Sequence, residues 1–270
     1  PPTRPPPRGA AWRACGLCLG RRSVAAALPA APVAIITGAS YGLGHALAEL
    51  AAAQGMRLAR VDMRPEPAKE LAASIREAGG EAMVIEADLA DATQRPQVIE
   101  QTLARYGRLD FLFNNAGYAY LATLEQMDLD AAHHLFEVNY WAYVDLAQRA
   151  IAPMRAAGGG TIINISSSLG VRPSPPGYGH YGASKHALVG LLQTAARELA
   201  DDNIKVIVAA PGGMKTNVGK HAVGPLADPA NDRTATWEDP AIAAQDIFDA
   251  LEGDEVIIYP GAVGRQMGTQ

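Results

Sequence analysis

Tyr181 and Lys185, in the stretch "YGASKHAL" (181–188), are spaced to share one face of a helix. A free phenol has a pKa of about 10, too high for a good base near neutrality. A lysine ammonium one turn away favours the phenolate by Coulomb attraction. Such a pair can move a proton on or off an alcohol or carbonyl oxygen. Upstream, Ser166, Ser167 and Ser168 offer hydroxyls that could hold the same oxygen, and Asn139 in "FEVNYWA" (136–142) places an amide within a helical pattern. Each feature alone has an ordinary reading: a surface pair, turn residues after a strand, a structural amide satisfied by backbone. Their occurrence together and in order argues for chemistry.

A second constellation lies near the start of the chain, in "TGASYGLG" (37–44). It comprises Gly38, Ser40, Tyr41, Gly42, Leu43 and Gly44. It follows an apolar run and precedes a helical one. A tight strand-to-helix turn needs a positive φ, close backbone approach to a phosphate excludes a Cβ, and the helix start offers free N–H groups and a positive dipole end. Asp62 follows 18 residues after Gly44, where a carboxylate can accept hydrogen bonds from both ribose hydroxyls of an adenosine and would repel a 2′-phosphate. Arg60 and Arg64 flank it and leave open a swing toward a phosphate. Asp88 can reach an adenine or serve as a turn or cap residue.

These residues need a scaffold that brings strand ends together. Short apolar runs at 33–37, 57–62, 82–88, 109–117, 161–166, 204–210 and 255–260 read as strands. They alternate with helical patterns at 43–54, 66–78, 94–106, 128–157, 181–200 and 240–252. The alternation predicts an α/β fold with a doubly wound parallel sheet of about seven strands, covered by helices on both faces. Every cluster named above then falls at the carboxyl ends of strands, where such sheets bind ligands.

"TGASYGLG", "NNAG" (114–117), a serine before Tyr-x-x-x-Lys and "PGGMKT" (211–216) occur in that order. The chain thereby resembles the short-chain dehydrogenase/reductase family, in its shorter single-domain branch, with motif support over about 33–216 and a looser likeness to about 260. The resemblance implies a Rossmann fold and an NAD(P)-dependent oxidoreductase interconverting a secondary alcohol and a ketone. It makes Tyr181 the acid/base, Lys185 its partner, and Asn139 the link from lysine to bulk water. The family's serine lies three residues before a glycine, so Gly170 selects Ser167. The resemblance puts Asp88, Leu89, Asn115, Ala116 and Gly117 along the adenosine, and Pro211, Gly212, Met214 and Thr216 at the nicotinamide carboxamide. Ala142 departs from the family pattern, which has glycine there. Asp62 favours NAD over NADP. An NADPH-dependent 3-oxoacyl reductase and a non-catalytic nucleotide-binding regulator are the alternatives, and the second conflicts with the intact Ser, Tyr and Lys.

The segment 168–180 carries three prolines and three glycines. It is expected to stiffen one wall of the substrate pocket, with Tyr178 as a contact. Residues 213–239 read as a lid, where Lys215, Lys220, His221 and Arg233 are either a solvated surface or an attraction for anions. His133 and His134 read as a helix-surface pair. No metal-ligand spacing appears, so no metal is expected. Residues 1–32, with five arginines and no acid, read as a flexible extension before one catalytic domain at 33–262. Cys15 and Cys18 are the two cysteines of the chain, so disulfides are not needed and a cytoplasmic setting is expected. A net charge of −5 argues against nucleic acid as a partner, and no apolar run is long enough to suggest a membrane span. A small alcohol or ketone is the expected partner. The family resemblance also implies a homodimer or homotetramer packed through the helices at 128–156 and 181–200.

Overall fold

The computed structural model describes residues 31–216, 221–228 and 237–268. Cys15, Cys18 and nearly all of the stretch read as an extension lie outside them. So do Lys220 and Arg233.

β1 (Val33–Thr37) is apolar on both sides and is followed by α1 (Gly42–Ala53), β2 (Arg57–Asp62) and α2 (Glu66–Glu77). Then come β3 (Ala82–Glu86), α3 (Arg95–Tyr106), β4 (Phe111–Asn114), α4 (Leu129–Phe136) and α5 (Ala142–Ala156). β5 (Gly160–Ile165), α6 (Gly179–Glu198), β6 (Ile204–Ala209), α7 (Pro240–Asp249), β7 (Ile257–Ile258) and α8 (Gly261–Gly268) complete the order. The strands form one seven-stranded sheet in the order β3-β2-β1-β4-β5-β6-β7, and every pairing is parallel. Alternation along β1 sends Ile35 to one core, with α3, α5 and α6, and Ile36 to the other, with α1, α2 and α7. The expected doubly wound Rossmann architecture is what forms. From β1 the chain winds outward through β2 and β3, then crosses back to β4 on the other side of β1. The carboxyl ends of β1 and β4 therefore diverge, and a crevice opens between their loops.

Four expectations about elements change, the first being the fourth strand, expected over 109–117, which spans Phe111–Asn114. The helix expected over 128–157 is two helices joined by a π-helical turn, Glu137–Trp141. The buried positions Leu135, Asn139 and Tyr143 keep a helical spacing through the turn, which hides it from the sequence. Inserting one residue into a helical turn rotates the helix beyond it, and such turns cluster at functional sites. The third strand ends at Glu86, because the Asp88 carboxylate accepts the Ala90 N–H at 2.9 Å and bends the chain. β7 keeps only Ile257–Ile258 of its expected run.

Candidate active site

A cavity of about 1400 Å³ opens at the carboxyl end of the sheet. It exceeds the ~300–1,000 Å³ typical of a site for one small molecule, so there is room for a dinucleotide and a second ligand together. Residues from β1 to β4 line one half, and residues from α4 to Glu238 line the other.

The first half is shaped by backbone. Gly38 has φ +64°, and a Cβ there would lie 2.8 Å from Ala116 Cα. A Cβ on Gly44 would overlap the Gly38 carbonyl oxygen and come within 2.5 Å of Asn115 Nδ2. Thr37, which sequence reasoning passed over, ties this loop to the segment after β4. Its buried Oγ1 accepts the N–H groups of Asn115 (2.9 Å) and Ala116 (3.0 Å). Asn115 Nδ2 donates in turn to the carbonyls of Thr37 (2.9 Å) and Gly38 (3.2 Å). Tyr41 precedes α1 without capping it by a side chain. Gly42 and Leu43 of that turn line the cavity. A glycine-rich helix start without a side-chain cap suits a pyrophosphate.

Asp62 lies at the outer edge of this half. Its Oδ2 accepts the Ser40 N–H at 3.0 Å and its Oδ1 the Arg64 N–H at 2.9 Å. Each oxygen keeps a lone pair for a further donor. Asp88 and Leu89 line the same region, while Ser40 is buried beneath the loop, with its hydroxyl donating to the Arg64 carbonyl at 2.8 Å. The two arginines left open by the sequence have defined positions. Arg60 is fully buried under the loop, and its guanidinium donates to the carbonyls of Ala68 (2.6 Å) and Ala39. Burial pulls it down to about 10, against the attraction of Asp62 and Glu49. It is committed there and does not face the cavity. Arg64 faces the cavity rim and approaches His221 Nδ1 at 3.4 Å.

At the seam between the halves stand Tyr181, Lys185 and Ser167, all lining the cavity. Burial raises the Tyr181 phenol, a hydrogen bond from Ser167 offsets this in part, and Tyr178 pushes in the same direction as burial. Ser166 is turned away: its hydroxyl donates to the Lys185 carbonyl at 3.1 Å. Gly170 lets the serine turn lie against α6, since a Cβ there would sit 2.8 Å from the Lys185 carbonyl oxygen. Lys185 is buried, donates to the Ile165 carbonyl at 2.8 Å and lies 5.0 Å from the centre of the Tyr143 ring. Burial alone pulls it down to about 7. Desolvation thus drives both members of the pair toward their neutral forms. The expected acidification of the phenol by Lys185 is not what forms: the influences on the phenol are burial, Ser167 and Tyr178, with burial the largest.

Asn139 lies behind the cavity wall, fully buried in the π-helical turn. Its Oδ1 accepts the Tyr118 N–H at 3.1 Å, and its Nδ2 donates to the Tyr118 carbonyl at 3.0 Å. A side chain at Gly117 would sit 3.0 Å from Asn139 Oδ1 and 3.6 Å from Lys185 Nζ, between the two groups. Glycine at that position keeps the path from lysine to asparagine open.

The second half joins segments distant in sequence. Pro211, Gly212, Met214 and Thr216 line it, and Thr216 packs on Gly42, where a Cβ would meet Thr216 Cγ2 at 2.8 Å. The ends of the expected lid are pinned to each other by the Lys215 N–H, which donates to the Glu238 carbonyl at 2.7 Å. Its described middle packs on residues 119–121, with the Leu121 N–H donating to the Val223 carbonyl at 2.8 Å. Tyr178 lines the cavity as expected. His134 is exposed on α4, as expected of a helix-surface residue. It faces the cavity and bonds the Tyr118 hydroxyl through Nδ1 at 2.8 Å. Burial is the chief cause that pushes the Tyr118 phenol up to about 12. Two residues sixteen positions apart give no sequence signal for such a pair. Among the described residues no cluster of His, Cys, Asp or Glu could hold a metal, and no helix is long and apolar enough to cross a membrane.

Residues 32–224 match the family model described as short chain dehydrogenase. An uncharacterized oxidoreductase of Schizosaccharomyces pombe is 34% identical over 67% of this chain, but the match spans only 60% of that protein's length. A 3-oxoacyl-[acyl-carrier-protein] reductase of Synechocystis is 35% identical over 70% of this chain and 76% of its own. Among solved structures, a short-chain dehydrogenase from Streptomyces avermitilis superposes with a TM-score of 0.79 at 33% identity, covering 89% of this chain and 91% of that one. A Burkholderia phymatum enzyme in complex with NAD gives 0.77 at 26% identity, with 84% and 88% covered. One from Sphingobium yanoikuyae in complex with NADPH gives 0.74 at 27%, with 84% and 86% covered.

Proposed function

The chain belongs to the short-chain dehydrogenase/reductase family of oxidoreductases, and from that premise we propose that it interconverts a secondary alcohol and a ketone, with NAD as hydride carrier and Tyr181 as acid/base. The observation that carries this reading is the meeting of Tyr181, Ser167 and Lys185 with the glycine loop and Asp62 in one cavity. The start of α1, which has no side-chain cap, and the loop that admits no Cβ fit a dinucleotide pyrophosphate. Asp62 would hold the adenosine ribose, Asp88 and Leu89 would flank the adenine, and Met214 and Thr216 would hold the carboxamide. When bound, the nicotinamide accepts or gives the hydride and adds positive charge in its oxidised form.

The chain's own residues do the rest. Ser167 donates to the substrate oxygen and fixes its distance from Tyr181. Tyr181 takes the alcohol proton in oxidation and returns it in reduction. Lys185, whose ammonium is costly to bury, becomes easier to keep charged when the phenol gives up its proton beside it. Asn139 and the Tyr118 carbonyl continue the polar path away from Lys185.

Support for NAD comes from Asp62 at the ribose position and from Arg60, whose guanidinium is occupied elsewhere. The second reading, an NADPH-dependent 3-oxoacyl reductase, draws on the Synechocystis relative and on the neighbour holding NADPH. A panel of secondary alcohols and ketones, assayed with both nucleotides by reduced-nicotinamide absorbance, tests the reading. Wild-type protein should turn over with NAD, and Asp62→Ala should lose that preference. An unchanged NAD preference in Asp62→Ala would remove Asp62 from the account. We also place a homodimer or homotetramer contact on α5 and α6, beside the exposed Trp141 and Leu191, and a cytoplasmic setting on the absence of any need for disulfides. A sedimentation measurement that finds only monomer contradicts the first point.

A further inference from the structure

One buried cation is not used by the chemistry above. Arg95, the first residue of α3, is only 4% exposed. Its Nε donates to the Leu89 carbonyl at 2.8 Å, and Nη2 reaches the Ala90 carbonyl at 3.3 Å. The same Nη2 meets the Glu137 carboxylate at 2.7 Å and the Glu137 carbonyl at 3.3 Å. Nη1 stands 4.0 Å from the Asp145 carboxylate, which Arg149 holds from its other oxygen at 2.6 Å. Leu89 belongs to the turn after β3 that lines the adenosine end of the cavity. Glu137 opens the π-helical turn that carries Asn139. These two pieces of chain are 42 or more residues apart, and one guanidinium spans them.

We propose that Arg95 is a positioning residue which fastens the adenosine end of the cavity to the turn carrying Asn139, so that nucleotide affinity and proton relay depend on one buried guanidinium. The geometry suits arginine specifically. Its planar fork offers donors in three directions, whereas a lysine at the same place could serve one side of the junction at a time. A π-helical turn has weaker internal hydrogen bonding than the α-helix on either side, so its first residue gains from an external anchor. Because Nη2 binds both the side chain and the carbonyl of Glu137, it fixes the turn's start in position and rotation. Asn139 lies two residues on and bonds the Tyr118 backbone at both ends of its amide, so a shift of about 1 Å would break both contacts. Misplacement on that scale, away from the reacting atoms, can cost ~10²-fold in rate.

The inference rests on reading the cavity as a nucleotide site, and the test separates the two. NADH affinity is measured by fluorescence without substrate, and kcat with the best alcohol of the panel. The proteins compared are wild type, Arg95→Met, Arg95→Lys and Glu137→Gln. Arg95→Met should weaken NADH binding and lower kcat, each by roughly tenfold or more. Arg95→Lys should recover one of the two losses. Glu137→Gln, which leaves the Leu89 contact in place, should keep NADH affinity within about twofold while lowering kcat several-fold. A folded Arg95→Met that loses only thermal stability overturns the proposal. If Arg95→Met does not fold, Glu137→Gln decides, and an unchanged kcat overturns it. Wild-type protein that binds neither NADH nor NADPH overturns the reading of the site and this inference with it; wild-type binding with unaltered variants overturns this inference alone.

Discussion

The half of the cavity proposed for the nucleotide and the half proposed for the substrate are built by different means. The first is backbone: a positive φ at Gly38, a contact at Gly44 too close for any Cβ, and two N–H groups gathered on Thr37. The second is side chains from α4, the 168–178 stretch and the 211–238 stretch, joined by contacts such as Tyr118 with His134. Backbone geometry tolerates few residue types, while a wall of side chains tolerates many. A fold that keeps one carrier and varies the second ligand would be expected to divide its constraints in this way.

That contrast can be broken by substitution, and the largest effect should come from the first half. Gly44→Val would force a side chain into the Gly38 carbonyl and Asn115. NADH affinity should fall by ~10²-fold or more, equally for every alcohol tested. Retained affinity would show that the loop is not the phosphate cradle.

At the seam, Ser167→Ala should lower kcat by ~10²-fold with NADH affinity unchanged. The Ser167 bond holds the Tyr181 phenol down against burial. Removing it raises the phenol, so the rise of oxidation rate with pH should move to higher pH. A profile that stays in place would separate Ser167 from the phenol.

Lys185 gives a smaller effect of opposite sign on stability. Burial pulls its ammonium down to about 7, whereas an unfolded lysine titrates near ~10.4. The unfolded chain binds more protons between those values, so the lysine's contribution to stability rises with pH across that window and its penalty is fully present below it. Lys185→Met should therefore abolish turnover yet raise the melting temperature at neutral pH. A gain of even ~1 kcal/mol would appear as about 2–4 °C by calorimetry. A lower melting temperature would mean that the Ile165 and Tyr143 contacts outweigh the cost of burial.

The smallest effect belongs to the substrate half. Tyr118→Phe removes the hydroxyl that fixes His134, and KM should change a few-fold for some substrates and not for others, with NADH affinity constant. A uniform change across substrates, or a change in NADH affinity, would blur the division between halves.

The same division explains what could be read without coordinates. The strand and helix alternation, the glycine loop and the Tyr181–Lys185 spacing are local patterns, and they return as β1, α1 and α6. Thr37 went unread because a threonine at a strand end has no signature until its two donors arrive from β4. The π-helical turn went unread because the helical spacing of Leu135, Asn139 and Tyr143 continues through it, although it is what buries Asn139. Arg60 and Arg64 were equivalent in sequence. The first lies inside β2 and is held under the loop by the Ala68 and Ala39 carbonyls, while the second lies beyond the strand's end, at the rim.

The central claim is that the Tyr181 hydroxyl moves the proton in a cavity that binds nucleotide by other means. Tyr181→Phe tests it most directly, with NADH affinity and alcohol oxidation measured on the same preparation. The account predicts affinity within about threefold of wild type and turnover reduced by ~10²–10⁴-fold at every pH. Turnover at the wild-type rate, with nucleotide still bound, would contradict it.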